Sequence, residues 1–250
     1  ANAAQQDRMR PGNKIQSATE SSFDAWVKYW RSTPNSFNAE SDYYDKGASL
    51  FFLLDMEIRQ SSGNKASLDD VLKAMFQRFR LGNKGYTVDD FQKVAEEFAG
   101  KNLKSFFEDY VHGTKPVPWE QYFRYAGLEL VPRDSIMKPW LGVQTSDAGG
   151  GARIFRITAG SPAYEAGLDT GDEILAMNGM RVRTADLNQR IPEMKEGEKL
   201  KFTVFRDDII RDFDVILKNQ EVPSYKLQKT KNPSEFQKSI YEGWLKQKWQ

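Results

Sequence analysis

The sequence predicts a multidomain α + β chain: a helical lobe over residues 1–127, a smaller β-rich domain over 128–222, and a strand-and-helix tail over 223–250. Three observations carry this. Apolar residues recur at helical spacing as far as Gly127, with short polar connections between the runs. After Gly127 the period falls towards two, and strand-length runs alternate with turn residues. Between Ser161 and Val182 the order S-P-A-Y-E-A-G-L-D-T-G-D-E-I-L-A-M-N-G-M-R-V puts small residues and glycines where two tight connections need them.

In the lobe, Phe23, Trp26, Val27 and Trp30 fall at i, i+3, i+4, i+7, which predicts one amphipathic helix from Gln16 to about Arg31. A loop with Pro34, Asn35 and Asn38 follows. The next helix, Ser41 to Gln60, is apolar nearly all round at its centre (Leu50 to Leu54, Met56, Ile58), as a buried helix should be. Ser67 caps a third helix ending near Gly82, Thr87 opens a fourth ended by Gly100, Leu103 to His112 is a fifth, and Pro118 to Ala126 a sixth. Beyond Gly127 come strand-like runs at Leu128–Val131, Leu141–Val143, Ile154–Ile157, Ile174–Met177, Leu200–Arg206 and Phe213–Leu217, with a helix over Ala185–Met194. Ser161 and Pro162 open a short helix closed by Gly167, and Asn178-Gly179 is a hairpin turn. In the tail, Tyr225–Leu227 reads as a strand. Asn232-Pro233-Ser234-Glu235 opens a last helix whose Phe236, Ile240 and Trp244 stripe is set to dock on a neighbouring domain.

Composition removes several functions. Basic and acidic residues number 36 and 35, so no overall field draws nucleic acid or an anionic membrane. No apolar run approaches the roughly 18 residues needed to span a bilayer. The absence of cysteine excludes disulfides and thiolate ligands, and fits either the cytosol or the periplasm. A single histidine, His112, cannot build a zincin site, which needs two histidines a turn apart. His112 reads as a last-turn residue before a capping glycine. Asp169, Asp172 and Glu173 lack calcium-loop spacing, and Gly149-Gly150-Gly151 lacks the Lys-Ser/Thr of a phosphate loop. Residues 1–22 hold no apolar leader core.

The Ser161–Val182 stretch resembles the central motif of bacterial PDZ domains, which bind extended peptides or protein C-termini by strand addition. Trp140-Leu141-Gly142-Val143 resembles the loop whose backbone amides receive the peptide end, with Gly142 allowing close approach. These four residues are the expected peptide groove; Leu141-Gly142-Val143 reads equally as an ordinary buried strand start in a domain that only positions or gates a neighbouring cleft.

A second resemblance covers the lobe. Tyr43-Tyr44-Asp45-Lys46-Gly47-Ala48 resembles the Y-x-K-G segment of gluzincin aminopeptidases. The wider order, from Phe23-Asp24-Ala25-Trp26 through Leu54-Asp55-Met56-Glu57-Ile58-Arg59 to Ala126-Gly127-Leu128-Glu129-Leu130 ahead of a PDZ domain, is similar to the C-terminal portion of PDZ-containing glycyl aminopeptidases. That family comprises zinc metallopeptidases. The resemblance implies that Tyr44 is a catalytic residue, its hydroxyl donating to the oxyanion that forms at the scissile carbonyl. The family's H-E-x-x-H helix and third zinc ligand have no counterpart here. The resemblance therefore implies zinc in the intact parent and none on this chain, which should be inactive alone. Its implied partners are the missing N-terminal catalytic portion and a peptide at the PDZ domain. A lobe parted from its zinc helices should expose an apolar face over residues 16–60. The alternative is a non-enzymatic PDZ adaptor with a helical docking module.

Overall fold

The computed structural model describes residues 2–80, 85–132, 136–222 and 225–250. The lobe is built from α1 (Asn2–Met9), α2 (Ala18–Phe23), α3 (Ser36–Ala39), α4 (Tyr43–Ser61), α5 (Leu68–Phe79), α6 (Val88–Ala99), α7 (Lys104–Phe106) and α8 (Trp119–Tyr125). Most starts are fixed locally. Ser17 and Thr87 each form a reciprocal capping box with the acidic residue three positions on, satisfying two amide donors at once, and Asp70 accepts from the Ser67 amide at 2.9 Å at the start of α5. Gly100 ends α6 with φ +65°. Gly82, expected to close α5, lies outside the described residues.

Helix α4 is the axis of the lobe: Leu53, Met56 and Ile58 are fully buried, and α2, α5, α6 and α8 pack around it. Inside this core Asp55 accepts from Arg59 Nε at 2.8 Å and from the Leu68 amide at 2.8 Å, so a buried carboxylate ties α4 to the start of α5. Lys101 pairs with Glu57. Trp119 is buried and donates from Nε1 to Asp7 at 3.0 Å, which holds α1 against α8. The expected fifth helix is α7 running into a π turn over Phe107–Val111. A Cβ on Gly113 would collide with the Asp109 carbonyl, so glycine is needed there for space.

Two expectations fail in the first half. The helix from Gln16 to Arg31 is only α2 plus a 3₁₀ turn at Tyr29–Arg31, and its apolar stripe faces outward. The segment read as a loop around Asn35 and Asn38 contains α3.

The chain leaves and re-enters the lobe through paired strands. β1 (Leu128–Pro132) runs antiparallel to β10 (Tyr225–Lys229), and β2 (Ile136–Trp140) to β9 (Lys218–Val222). Beyond this ribbon lies a sheet of β3 (Val143–Ala148), β4 (Gly151–Ile157), β5 (Glu173–Met177), β7 (Lys199–Arg206) and β8 (Ile209–Ile216) in order β3-β4-β5-β7-β8, with β6 (Met180–Arg181) paired to β5. Two helices, α9 (Pro162–Glu165) and α10 (Thr184–Arg190), complete a PDZ-type domain with its own core around Ile154, Ile174, Met177, Leu200 and Phe202. Leu141-Gly142, read as strand, is the link between β2 and β3. Finally α11 (Glu235–Leu245), capped by Ser234, returns to the lobe, burying Ile240 and placing Trp244 5.2 Å from Phe52.

Asp172 anchors the PDZ turn. Its side chain is fully buried, accepts from the Asp169 amide at 2.9 Å and pairs with Arg206 at 2.5 Å. Asp172→Ala should destabilise the PDZ domain by about 2–3 kcal/mol, since it strips partners from Arg206 and an amide. Urea unfolding followed through PDZ-specific signals checks this, and an unchanged midpoint would contradict it.

Candidate functional site

Tyr44 sits in the first turn of α4, where geometry is set from two sides. Outside the helix, Asp42 Oδ1 accepts from the amides of Tyr44 (3.0 Å) and Asp45 (3.2 Å), an N-cap that fixes the helix start. Beneath it lies a buried polar network. Gln16 Oε1 accepts from the Ser41 amide at 3.0 Å, Ser21 Oγ donates to the Ser41 carbonyl at 2.7 Å, and Ser41 Oγ donates to the Ser17 carbonyl at 3.3 Å. Lys46 Nζ reaches the carbonyls of Asn13 and Gln16, each at 3.4 Å, and burial pushes its ammonium pKa below the usual lysine range. The loop before α2 is thereby fastened to the helix that carries Tyr44.

The Tyr44 side chain itself is 56% exposed. Its ring packs 4.2 Å from Tyr43 and 5.8 Å from Tyr29. Partial burial, then the Asp42 carboxylate, pushes the Tyr29 phenol up. The chain of rings continues to Trp30 (5.5 Å from Tyr29) and Trp26 (6.4 Å from Trp30). Phe23 is 88% exposed and Trp26 80%, with Ile15, Val27, Trp30 and Phe51 open as well. Single exposed apolar residues are ordinary, but a connected aromatic face of this kind is the sort of patch that interaction sites present. Gly47, on α4 beside Tyr44, has nothing within 4 Å of where a Cβ would stand. A mid-helix glycine costs about 1 kcal/mol relative to alanine, and no neighbour among the described residues accounts for it.

The four PDZ groove residues come together at the entry to β3. Leu141 is buried and its carbonyl accepts from the Ala163 amide at 3.0 Å, while the Gly142 carbonyl accepts from Thr158 at 2.9 Å. Gly142 has φ +87°, and a side chain there would overlap Ser161, so only glycine fits. Trp140 ends β2 and Val143 begins β3 against the PDZ core. Among the described residues β3 pairs with β4 alone, leaving its other edge open beside α10. Asp147 on β3 accepts from the Thr184 amide at 3.0 Å, and this bond pulls its carboxyl below the usual carboxylate range. Strand and helix are thus tied at the far end of the groove.

Sequence reasoning missed the residue that joins the halves. Asn38 on α3 is buried, donates from Nδ2 to the Ile157 carbonyl at 2.9 Å and accepts from the Ala159 amide at 2.8 Å. Phe37, its neighbour, lies under the guanidinium of Arg156 at 4.5 Å. In the sequence an Asn in a polar stretch is indistinguishable from a turn residue. Beside this joint lies a cleft of about 780 Å³ lined by α1, α4, β3 and β4. The remaining sequence candidates are structural: His112 Nδ1 meets Thr19 Oγ1 at 2.8 Å, and Asp172 serves the turn described above. Among the described residues no group of three or more His, Cys, Asp or Glu is placed to hold a metal. No helix among them is long and apolar enough to cross a membrane.

The structure is thus a helical lobe with an exposed aromatic face joined to a PDZ domain. In sequence, residues 1–50 match the model of the M61 glycyl aminopeptidase family and residues 139–217 that of the PDZ domain. An aminopeptidase N family protein from Idiomarina loihiensis has the same fold, with TM-score 0.80 at 21% identity over 95% of this chain and 43% of that one. A periplasmic serine endoprotease DegP-like protein of Pseudomonas putida is 31% identical over 100 residues, 35% of this chain and 21% of that protein. A Brucella suis protein named as a zinc metalloprotease is 39% identical over 65 residues, 26% of this chain and 17% of that protein. The chain therefore spans about a fifth of the curated relatives it matches.

Asn38→Ala should leave both cores folded but remove about 1–3 kcal/mol from their contact, since the Ile157 carbonyl and Ala159 amide lose their partner. Small-angle scattering should then show a broader distribution of lobe–PDZ arrangements. A scattering curve identical to wild type would contradict the joint.

Proposed function

We propose that this chain is the C-terminal portion of an M61-type metallo-aminopeptidase, which removes residues from peptide N-termini with a zinc-activated water as nucleophile. The observation that carries the reading is Tyr44: a half-exposed side chain on a capped helix start, set in an aromatic face left open among the described residues. Zinc does not fit the residues described here, so it would be held by the rest of the catalytic domain. That portion would cover the face around Phe23, Trp26 and Trp30, and Gly47 would let it approach α4 closely.

Within this reading Tyr44 donates its hydroxyl hydrogen to the oxygen that gains charge as the scissile carbonyl becomes tetrahedral. The donor is held in place before the charge appears, which is what makes such a bond effective. Asp42, Gln16 and Lys46 position it through the helix start rather than touching substrate. The PDZ groove at Trp140, Leu141, Gly142 and Val143 takes an extended peptide along the open edge of β3. The DegP-like relatives are named periplasmic, and a periplasmic or secreted setting goes with the proposal.

The test needs the protein with its upstream catalytic domain and a glycyl anilide substrate. Tyr44→Phe should lower kcat by about 10²–10³ with the fold intact, and the 250-residue chain alone should be inactive even with zinc added. A wild-type rate in the variant would reject the role of Tyr44. Turnover by the chain alone would reject the division of labour. If the protein has no hydrolytic activity but binds C-terminal peptides, the adaptor reading replaces this one.

A further inference from the structure

We propose that the cleft between the lobe and the outer face of the PDZ sheet is a second peptide site, distinct from the β3–α10 groove, in which Arg156 anchors a terminal carboxylate. The ligand class rests on the peptidase reading, whereas the experiment below reads binding alone and can fail without it.

Gln144 and Arg156 are partners in the β3–β4 register. Their neighbours Val143 and Ile157 pack into the PDZ core, so Gln144 and Arg156 project from the opposite face, towards the lobe, and both line the cleft. The volume, about 780 Å³, is in the range of ligand sites, roughly 300–1,000 Å³. On the lobe side the cleft borders Asp45 and Ala48, the neighbours of Tyr44 along α4.

The charge state of this wall is uneven. Arg10, which lies 5.7 Å from the Phe37 ring, donates to the Glu40 carbonyl at 2.7 Å and stands 3.9 Å from Asp42. Lys46 is held by backbone carbonyls. Arg156 instead lies over the Phe37 ring, 4.5 Å from its centroid, and among the described residues no carboxylate pairs with it. A guanidinium held over a ring face with no carboxylate partner has N–H donors to offer, and their fork matches a carboxylate in bidentate fashion. The two bonds of Asn38 hold the PDZ sheet at a fixed distance from the lobe, so the anchor has a defined position relative to α4.

The probe is N-acetyl-tetraalanine, as free acid and as C-terminal amide, titrated by calorimetry into the 250-residue chain. The acid should bind at least about tenfold more tightly than the amide. The ratio should collapse towards one in Arg156→Gln and survive in part in Arg156→Lys. Backbone NMR shifts should centre on Gln144, Arg156 and Phe37. An unchanged acid-to-amide ratio in Arg156→Gln overturns the proposal, as does no binding at millimolar acid. Shifts confined to Val143, Thr145 and α10 would place the carboxylate in the strand-addition groove instead and equally overturn it.

Discussion

The entrance to α4 depends on keeping one ammonium out of water. Lys46 is buried, its nitrogen meets two backbone carbonyls, and those carbonyls belong to the turn that feeds α2. An unpartnered charge at that depth would be costly, so the turn has to stay where it is. Gln16, Ser17, Ser21 and Ser41 are buried around the same point and satisfy one another. Such a network is high-stakes because each lost bond leaves a desolvated group behind. Its consequence is that the first turn of α4, and Tyr44 with it, has one position rather than several. It also sets where the aromatic face begins.

The second constraint is how the PDZ domain is held. A two-strand ribbon enters and leaves the lobe, with β1 on β10 and β2 on β9. A ribbon alone would let the domain swing. The additional contact is small and polar: Asn38 against the end of β4, and Phe37 under Arg156. It engages the sheet face away from α10, so the open edge of β3 stays available while the domain is docked. The tail closes the arrangement by returning to the lobe, where α11 buries Ile240 beside α4 and α8.

Features encoded by neighbours in sequence were legible. The caps at Ser67, Thr87, Ser161 and Ser234 involve residues three positions apart, and the glycines at 100, 167 and 179 take the positive φ their turns require. The central PDZ motif is of this kind. The aromatic stripe of Phe23, Trp26, Val27 and Trp30 was misread, because periodicity identifies a face to be buried but not which molecule buries it. The same residues form the exposed apolar face expected over residues 16–60. Asn38 and α3 were invisible: a four-residue helix has no periodicity, and a lone Asn signals a turn. Tyr44 stood out only through its resemblance to a known segment.

In the proposed reading the aromatic face is one side of an interface within a larger catalytic domain. Hydrogen–deuterium exchange comparing residues 15–31 and 43–51 in the 250-residue chain and in a protein carrying the rest of an M61 catalytic domain tests it most directly. Strong added protection over both segments, with β7 and β8 unchanged, is the result this account requires. Equal exchange in the two proteins would mean that nothing covers Trp26 and Trp30, and the account would be wrong.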